Sequence, residues 1–211
     1  MRAAAIVYVV DDDDSCRCAL TRMLTASGLR VKSYASGAEF LADLSKGVAM
    51  EGPACVLTGL RIPRMDGLRL QQACMEADLI LPFVFLTRYG DIPSAVSAMR
   101  QGAVDFLDKS TSPDTLLNSV ARALDCGARA RALRVRQEQL KRRFAALTER
   151  ERAVLGHVVH GNATKQIAVA LSIHRRTVTL HRTNITLKLG VRSVAELTRM
   201  AHEAGVFEEL H

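Results

Sequence analysis

The stretch from Leu147 to Met200 constrains the fold of this chain most, because its apolar residues recur at helical spacing between turn residues. Thr148 followed by Glu151 has the pattern of a capping box, in which each side chain bonds a backbone N–H of the first helical turn. Gly161 is placed to end that helix in the left-handed conformation. The pattern predicts short helices joined by tight turns.

Three more helices are predicted in the same stretch. One covers residues 165–171 and the next covers 175–189, with a tight turn between them. The last begins at a second predicted capping box, formed by Ser193 and Glu196, and ends at Gly205. On helix 175–189 the predicted inward residues are Val178, Ile185 and Leu189, and the opposite side, called here the reading face, carries Arg176, Thr179, Leu180 and Thr183.

Two helices joined by a turn, with polar side chains on the second, are typical of a helix-turn-helix that enters the major groove of DNA. The segments LTERERAVL and KLGVRSVAEL resemble the LuxR/FixJ-type DNA-binding domain over about sixty residues. This sequence departs from that pattern at two positions. Where the family has a capping Ser, this chain has His174, and where it has a Lys on the reading face, this chain has Thr179. We expect the first change to remove a good cap acceptor and the second to remove a donor suited to guanine.

The resemblance implies roles for individual residues of this domain. The four residues of the reading face are expected to contact bases. The residues expected to hold phosphates or to frame the helix are Lys165, Arg175, Thr177, His181, Arg182 and Lys188. The last helix resembles the family's dimerisation helix, which implies a homodimer on DNA through Val194, Leu197, Met200 and Ala201.

The charge distribution supports double-stranded DNA as the partner. Residues 1–125 contain 13 Lys and Arg against 15 Asp and Glu, a net charge of −2, whereas residues 126–211 contain 16 against 7, a net charge of +9. Basicity confined to the half with the predicted helix-turn-helix favours phosphate contacts. No apolar run approaches the roughly 18 residues that span a bilayer, so we expect a cytoplasmic protein with no membrane partner.

The first 125 residues alternate between strand patterns and helix patterns. Strands are predicted at 5–10, 31–34, 54–60, 83–87 and 104–107, and helices at 15–27, 36–44, 67–78, 92–100 and 113–125. Such alternation predicts an α/β fold with a doubly wound, parallel, five-stranded sheet. The predicted organisation is therefore a flavodoxin-like domain over residues 1–125, a basic helical linker over 126–143, and an all-α, four-helix domain over 144–211.

Polar residues follow the predicted strands at the edge where ligands bind in such sheets. The segments VYVVDDDDS, PACVLTGLRIPRMDGL and LPFVFLTRYGDIPSAVSAMRQGAVDFLDKS resemble the receiver domain of bacterial two-component response regulators. The resemblance assigns the Mg²⁺-binding acids to Asp11 and Asp12, and the phosphoryl-contacting hydroxyl to Thr87. It assigns the charge-balancing lysine to Lys109 and the aromatic switch residue to Phe106.

The phosphoacceptor position of the receiver pattern is Gly59 in this chain. Glycine has no side chain to carry an acyl phosphate, so the sequence predicts a receiver that works without phosphorylation. Arg88 stands where the pattern has a small residue, and we expect it to pair with Asp11 or Asp12 in place of Mg²⁺. Weak Mg²⁺ binding at these two acids is therefore expected, with no other metal or cofactor.

The segment GARARALRVRQEQLKRR, residues 127–143, carries seven basic residues and one acid. A mostly exposed connecting helix fits this composition, either as a solvated linker or as a coiled segment that aids dimerisation or touches DNA phosphates. Five cysteines without metal-site spacing indicate reduced thiols, and redox sensing by them stays an alternative.

Three interpretations of function follow from these patterns. The first is a DNA-binding regulator that does not depend on phosphorylation, and the second is a conventional phospho-switched regulator that uses another aspartate such as Asp66. The third is a regulator gated by a protein partner at the receiver surface around Phe106. An enzyme is not predicted, because no nucleophile, base and oxyanion donor occur together.

Overall fold

The computed structural model describes residues 5–45, 52–88 and 90–206. The chain divides into two compact units between Arg131 and Ala132, inside the predicted linker. No helix among the described residues is long and apolar enough to cross a membrane.

The amino-terminal unit contains a parallel five-stranded sheet in the order β2-β1-β3-β4-β5. The order places β1 and β3 at the centre of the sheet, which is the flavodoxin-like arrangement of doubly wound folds. The prediction of the fold class is therefore confirmed. The strands are β1 (Ile6–Val10), β2 (Arg30–Tyr34), β3 (Ala54–Thr58), β4 (Phe83–Thr87) and β5 (Asp105–Asp108).

Alternate residues of each central strand pack on opposite faces of the sheet, as the period of two in a strand requires. On β1, Tyr8 packs in a core with Phe40 and Leu70, whereas Val9 packs in a separate core with Leu24. All five are buried, and each fully buried apolar side chain of this size stabilises the fold by about 1.5–3 kcal/mol. The sheet is thus the middle layer of three.

In the described part of the chain, five helices cover the sheet, with α2, α3 and α4 contributing to the first core and α1 and α5 to the second. They are α1 (Asp14–Ala26), α2 (Gly37–Ser45), α3 (Gly67–Glu76), α4 (Ile92–Arg100) and α5 (Pro113–Ala145). The predicted end of the last helix, at residue 125, was wrong because α5 continues without a break through the basic segment. Long Arg, Gln and Lys side chains have high helix propensity, so a helix persists there without an apolar stripe.

Several other boundaries differ from prediction by one or two residues. Helix α1 begins at Asp14, because the side chain of Asp13 accepts hydrogen bonds from the backbone N–H groups of Ser15 and Cys16 and so caps the helix. Strand β3 ends at Thr58, two residues before the predicted end.

The carboxy-terminal unit packs four helices and the end of α5 around one core. The helices are α6 (Glu149–Val159), α7 (Thr164–Ala170), α8 (Arg175–Leu189) and α9 (Val194–Ala204). The predicted inward residues of α8, which are Val178, Ile185 and Leu189, are all buried in this core. The predicted capping box of Thr148 and Glu151 is present. Gly161 has a φ of +77°, as a left-handed stop after α6 requires.

Candidate acidic pocket and nucleic-acid interface

Four predicted site residues meet where the parallel strands end, and we call them the acidic pocket: Asp11, Gly59, Thr87 and Lys109. Asp11 and Gly59 directly follow strands β1 and β3, and Thr87 is the last residue of β4. The backbone N–H of Lys109 donates to the carbonyl of Thr87 at 2.9 Å, and that of Gly59 donates to the carbonyl of Val10 at 3.1 Å. Backbone pairing alone therefore brings the pocket together.

Asp11 and Lys109 form a direct ion pair in this pocket. Nζ of Lys109 lies 2.6 Å from Oδ2 of Asp11, and the two side chains are 16% and 3% exposed. Burial lowers the pKa of Lys109, but the hydrogen bond and charge of Asp11 outweigh it and the pKa is raised overall. Lys109 is therefore a cation that holds a buried carboxylate.

The rest of Asp11 is also hydrogen-bonded. Its Oδ1 accepts from the backbone N–H of Asp13 at 3.0 Å. Its carbonyl accepts from Nη1 of Arg17 at 2.7 Å. Both carboxylate oxygens are thus used inside the protein, and Arg17 is a pocket residue that no strand-end pattern in the sequence indicates.

Arg88 does not pair with either predicted acid. Its Nη2 lies 3.7 Å from Oδ2 of Asp13, and the Arg88 side chain is exposed. Lys109 already neutralises Asp11, and Asp12 is exposed to solvent. The backbone N–H of Cys16, together with that of Ser15 and the charges of Arg88 and Lys109, lowers the pKa of Asp13. The predicted pairing was therefore wrong by one or two residues.

Gly59 faces the buried carboxylate. A Cβ built on Gly59 would lie 3.6 Å from Oδ2 of Asp11 and 3.5 Å from Cγ1 of Ile62, both ordinary contact distances. The Cβ of a side chain at this position would face the carboxylate of Asp11 without a steric clash. The acidic pocket therefore has space for the Cβ of a side chain at position 59, but glycine supplies none.

These residues fit Mg²⁺ poorly. The cation prefers several oxygen ligands in octahedral geometry, usually including one or two carboxylates. Asp11 already binds Lys109 and a backbone N–H, and Gly59 supplies no carboxylate. Among the described residues, no group of three His, Cys, Asp or Glu side chains is arranged to hold a metal ion.

Phe106 lies beside the acidic pocket on β5. Its ring stacks on Phe85 with centroids 5.8 Å apart. A Cβ on Gly90 would come within 2.6 Å of the Phe106 ring, so a glycine is needed for the loop to pass this ring. The half-buried ring is thus held from two sides.

Asp66 caps a helix, and two of the cysteines lie in the core. Oδ1 of Asp66 accepts from the backbone N–H of Arg69 at 2.8 Å and caps α3. Burial raises the pKa of Cys55 and of Cys74 to about 12, which makes both thiols unreactive at neutral pH. Cys18 and Cys126 are exposed.

In the carboxy-terminal unit, all four residues of the reading face are exposed on α8. They fall at positions i, i+3, i+4 and i+7, which lie on one side of a helix. Leu180 is 58% exposed although it is apolar. The face is therefore free of contacts with the core of its own unit.

The predicted phosphate-contacting residues divide into two groups. Lys165 and Arg175 are exposed, and Thr177 is half-buried. Arg182 and Lys188 instead bond within the domain: Nη1 of Arg182 lies 3.4 Å from the hydroxyl of Thr164, and Nζ of Lys188 lies 2.7 Å from Oε2 of Glu151.

Glu151 links the start of α6 to the end of α8. It is 3% exposed, it closes the capping box of α6, and it binds Lys188 near the end of α8. The hydrogen bond from Lys188, followed by the one from the backbone N–H of Thr148, lowers its pKa. The local spacing indicates the cap, but no periodicity reveals the distant lysine.

Nδ1 of His181, also on α8, is buried without a hydrogen-bond partner in the described part of the chain.

The caps of α8 and α9 differ from prediction. Nδ1 of His174 accepts from the backbone N–H of Arg176 at 3.2 Å, so the histidine does cap α8, in the tautomer that leaves Nδ1 unprotonated. Ser193 caps α9, but Oε2 of Glu196 accepts from the N–H of Arg192, so the reciprocal bond of a capping box is absent.

The predicted dimerisation residues are mostly inside the protein. Leu197, Met200 and Ala201 are buried in the core of their own unit, where they pack with residues of α5, α6 and α8. Val194 is 41% exposed. The three buried residues belong to the intramolecular core, because burying them leaves no side-chain surface for a second chain.

A receiver-type sheet with an acidic pocket, followed by a helix-turn-helix domain, defines the class of response regulators that act on DNA. Residues 7–121 match the family described as response regulator receiver domain, and residues 145–201 match bacterial regulatory proteins of the luxR family. The chain therefore belongs to the LuxR/FixJ-type response-regulator transcription factors, which are DNA-binding regulators and not enzymes.

Individual relatives are similar in sequence to this chain over nearly its whole length. It is 37% identical to the transcriptional regulatory protein FixJ of Rhizobium meliloti, over 94% of this chain and 96% of that protein. It is 34% identical to the response regulator protein TodT of Pseudomonas putida, over 93% of this chain and 85% of that protein. Among solved structures, the response regulator StyR matches with a TM-score of 0.79 and 37% identity, over 95% of this chain and 100% of that one.

Proposed function

We propose that this transcription factor regulates its genes without phosphorylation of its receiver. The observation that carries the proposal is the geometry at Gly59, where a Cβ would point at Asp11 and no side chain is present. The hydroxyl of Thr87 and the amine of Lys109 have no acyl phosphate to contact at this position. The buried pair of Lys109 and Asp11 supports the same conclusion, because each charge is already neutralised by the other.

Intact-mass analysis after incubation with acetyl phosphate and Mg²⁺ tests the proposal. The wild-type chain is expected to keep its mass. The variant Gly59→Asp is expected to gain one phosphoryl group, because the space beside Asp11 admits a side chain. A stoichiometric gain by the wild-type chain would contradict the proposal, and loss of that gain in Asp66→Asn would then identify Asp66 as the acceptor.

For the DNA complex, we propose base contacts from the reading face and phosphate contacts from residues beside it. Lys165 lies at the start of α7 and Arg175 is the first residue of α8, and both exposed cations suit phosphates. The half-buried Thr177, His181 and Arg182, and the paired Lys188, are proposed to position α8.

A salt titration separates these two groups. For each phosphate contact, the logarithm of the affinity falls with the logarithm of the salt concentration by a slope of about 0.9. Lys165→Ala is expected to reduce the slope by about one contact, whereas Lys188→Met is expected to leave the slope unchanged and to lower domain stability. Equal slopes for wild type and Lys165→Ala would contradict the assignment.

A second candidate for regulation is contact through α4, near Phe106. Ile92, Val96 and Met99 are 81%, 43% and 48% exposed, and their i, i+4, i+7 spacing forms an apolar stripe on one side of the helix. Exposed apolar stripes favour a protein partner, and a second copy of this chain would give the symmetric dimer that DNA half-sites need.

Sedimentation velocity on the full chain tests the α4 dimer. Val96→Asp is expected to shift a dimer toward monomer, and Met75→Asp, at a residue of α3 that is 57% exposed, is the matched control expected to change nothing. Unchanged sedimentation of Val96→Asp would contradict the α4 dimer.

A further inference from the structure

The reading face of α8 is chemically unusual in having few hydrogen-bond donors. The hydroxyl of Thr179 donates to the carbonyl of Arg175 at 3.1 Å, and the hydroxyl of Thr183 donates to the carbonyl of Thr179, also at 3.1 Å. With its hydrogen used in this way, each threonine offers a methyl group and oxygen lone pairs outward. Leu180 between them offers only methyl groups.

Arg176 is therefore the one residue of the reading face with N–H groups available for a base. Its side chain is exposed at the start of α8, where a recognition helix contacts base edges. Thr183 is seven positions after Arg176, a distance of about 10 Å along a helix or about three stacked base pairs. Over this length the face changes from a cationic end to an apolar end.

The two ends suit different groups in the major groove. Guanine presents two acceptors, N7 and O6, which match an arginine, and thymine presents the C5 methyl group, which matches an apolar side chain. Leu180 is 58% exposed in the free chain, so it has surface to bury on such a methyl group. Nothing else in its own unit covers that surface.

We propose that Leu180 specifies thymine by packing on its C5 methyl group, next to a guanine contacted by Arg176. This inference rests on the proposed role of the reading face in the DNA complex. It assigns to each half-site a short step that contains G beside T, with the thymine methyl under Leu180 and the methyl groups of Thr179 and Thr183 flanking it.

Replacement of thymine by deoxyuridine tests the inference, because it removes the methyl group and leaves base pairing intact. A duplex is first selected from a random-sequence library with the wild-type full chain. Each thymine is then replaced singly, and the affinity is measured by fluorescence anisotropy at fixed salt. One position in each half-site is expected to weaken wild-type binding about fourfold, the effect of one buried methyl group.

The variant Leu180→Ala is expected to lose this sensitivity, so that thymine and deoxyuridine duplexes bind it equally. Val169→Ala is the matched control, because Val169 is 75% exposed and apolar but lies on α7, and it should keep the full fourfold difference. Since both residues are exposed, neither change is expected to unfold the domain, and circular dichroism checks this.

Two results would overturn the inference. In one, no single replacement changes wild-type affinity although the chain binds its selected duplex. In the other, Leu180→Ala retains the same sensitivity as wild type. Failure of the wild-type chain to select or bind any duplex is a separate outcome, and it would refute DNA binding itself together with the inference.

Discussion

The two units differ in whether their functional side chains are paired within the protein or exposed. In the acidic pocket, Lys109 and Asp11 neutralise each other in a buried pair, and Arg88 pairs with the cap residue Asp13. On α8, by contrast, Arg176 and Leu180 remain exposed and make no contact with the core. In the acidic pocket the protein's own groups neutralise the charges, whereas on the reading face of α8 the side chains are available for a ligand.

The largest expected effect concerns the buried pair of the amino-terminal unit. Lys109→Met leaves the carboxylate of Asp11 without its cation, and we expect a loss of about 3 kcal/mol in the free energy of unfolding. Urea unfolding followed by tyrosine fluorescence measures this unit alone, because its residues 8, 34 and 89 are the three tyrosines of the chain.

Two variants sharpen that measurement. The double variant Asp11→Asn, Lys109→Met removes both charges and should recover most of the lost stability. Lys32→Met breaks the more exposed pair with Asp43, whose side chains are 39% and 30% exposed, and should cost below about 1 kcal/mol. If the Lys109→Met variant were as stable as wild type, the claim that Lys109 neutralises Asp11 in the acidic pocket would be contradicted.

The next effect concerns Glu151, the buried acid of the carboxy-terminal unit. Glu151→Gln keeps an acceptor for the cap but loses the charge that binds Lys188, so we expect a loss of about 1.5 kcal/mol at pH 7. The pKa of Glu151 is lowered by folding, so its stabilisation is full above the unfolded pKa of about 4.3. It is lost as the pH falls through that value toward the folded pKa.

Far-UV circular dichroism of urea unfolding at several pH values measures this difference. Wild type and Glu151→Gln should converge as the pH falls from about 5 through the unfolded pKa of about 4.3 toward the folded pKa. Glu203→Gln is the control, because Glu203 binds Arg136 near the surface and its change should have a smaller effect. A difference that does not narrow as the pH falls below the unfolded pKa would show that the charge of Glu151 is not its cause.

The smallest expected effect concerns the caps of α7 and α8. His174→Ala removes the acceptor for the N–H of Arg176 and should cost about 0.5–1 kcal/mol, whereas His174→Ser should keep the stability. Ala163 at the cap of α7 makes no side-chain bond, so Ala163→Ser should gain a similar amount. Thermal unfolding at fixed pH measures all three, and a fully stable His174→Ala would show that the histidine does not cap.

Much of the fold could be predicted from the sequence because local signals agree with the final packing. Helix α8 covers the predicted residues 175–189, and Thr148 with Glu151 forms the predicted capping box. Helical structure in the basic segment was also expected from its composition, but the break at Asp125 was wrong, because no residue there ends the helix and α5 runs on to Ala145.

The pairings within the sites could not be predicted, because they join residues far apart in the chain. The acids Asp11 and Asp12 and the cation Arg88 were identified as pocket residues, but the sequence does not say which acid each cation meets. In the same way, the helical spacing of Leu197 and Met200 indicates an apolar face but does not distinguish the domain's own core from a surface for a second chain.

The most direct test of the central claim is the affinity of the wild-type chain for its selected duplex with and without acetyl phosphate and Mg²⁺. The account predicts the same dissociation constant in both conditions, because Gly59 has no group that can accept phosphate. A clear gain in affinity that requires the phosphodonor would contradict it.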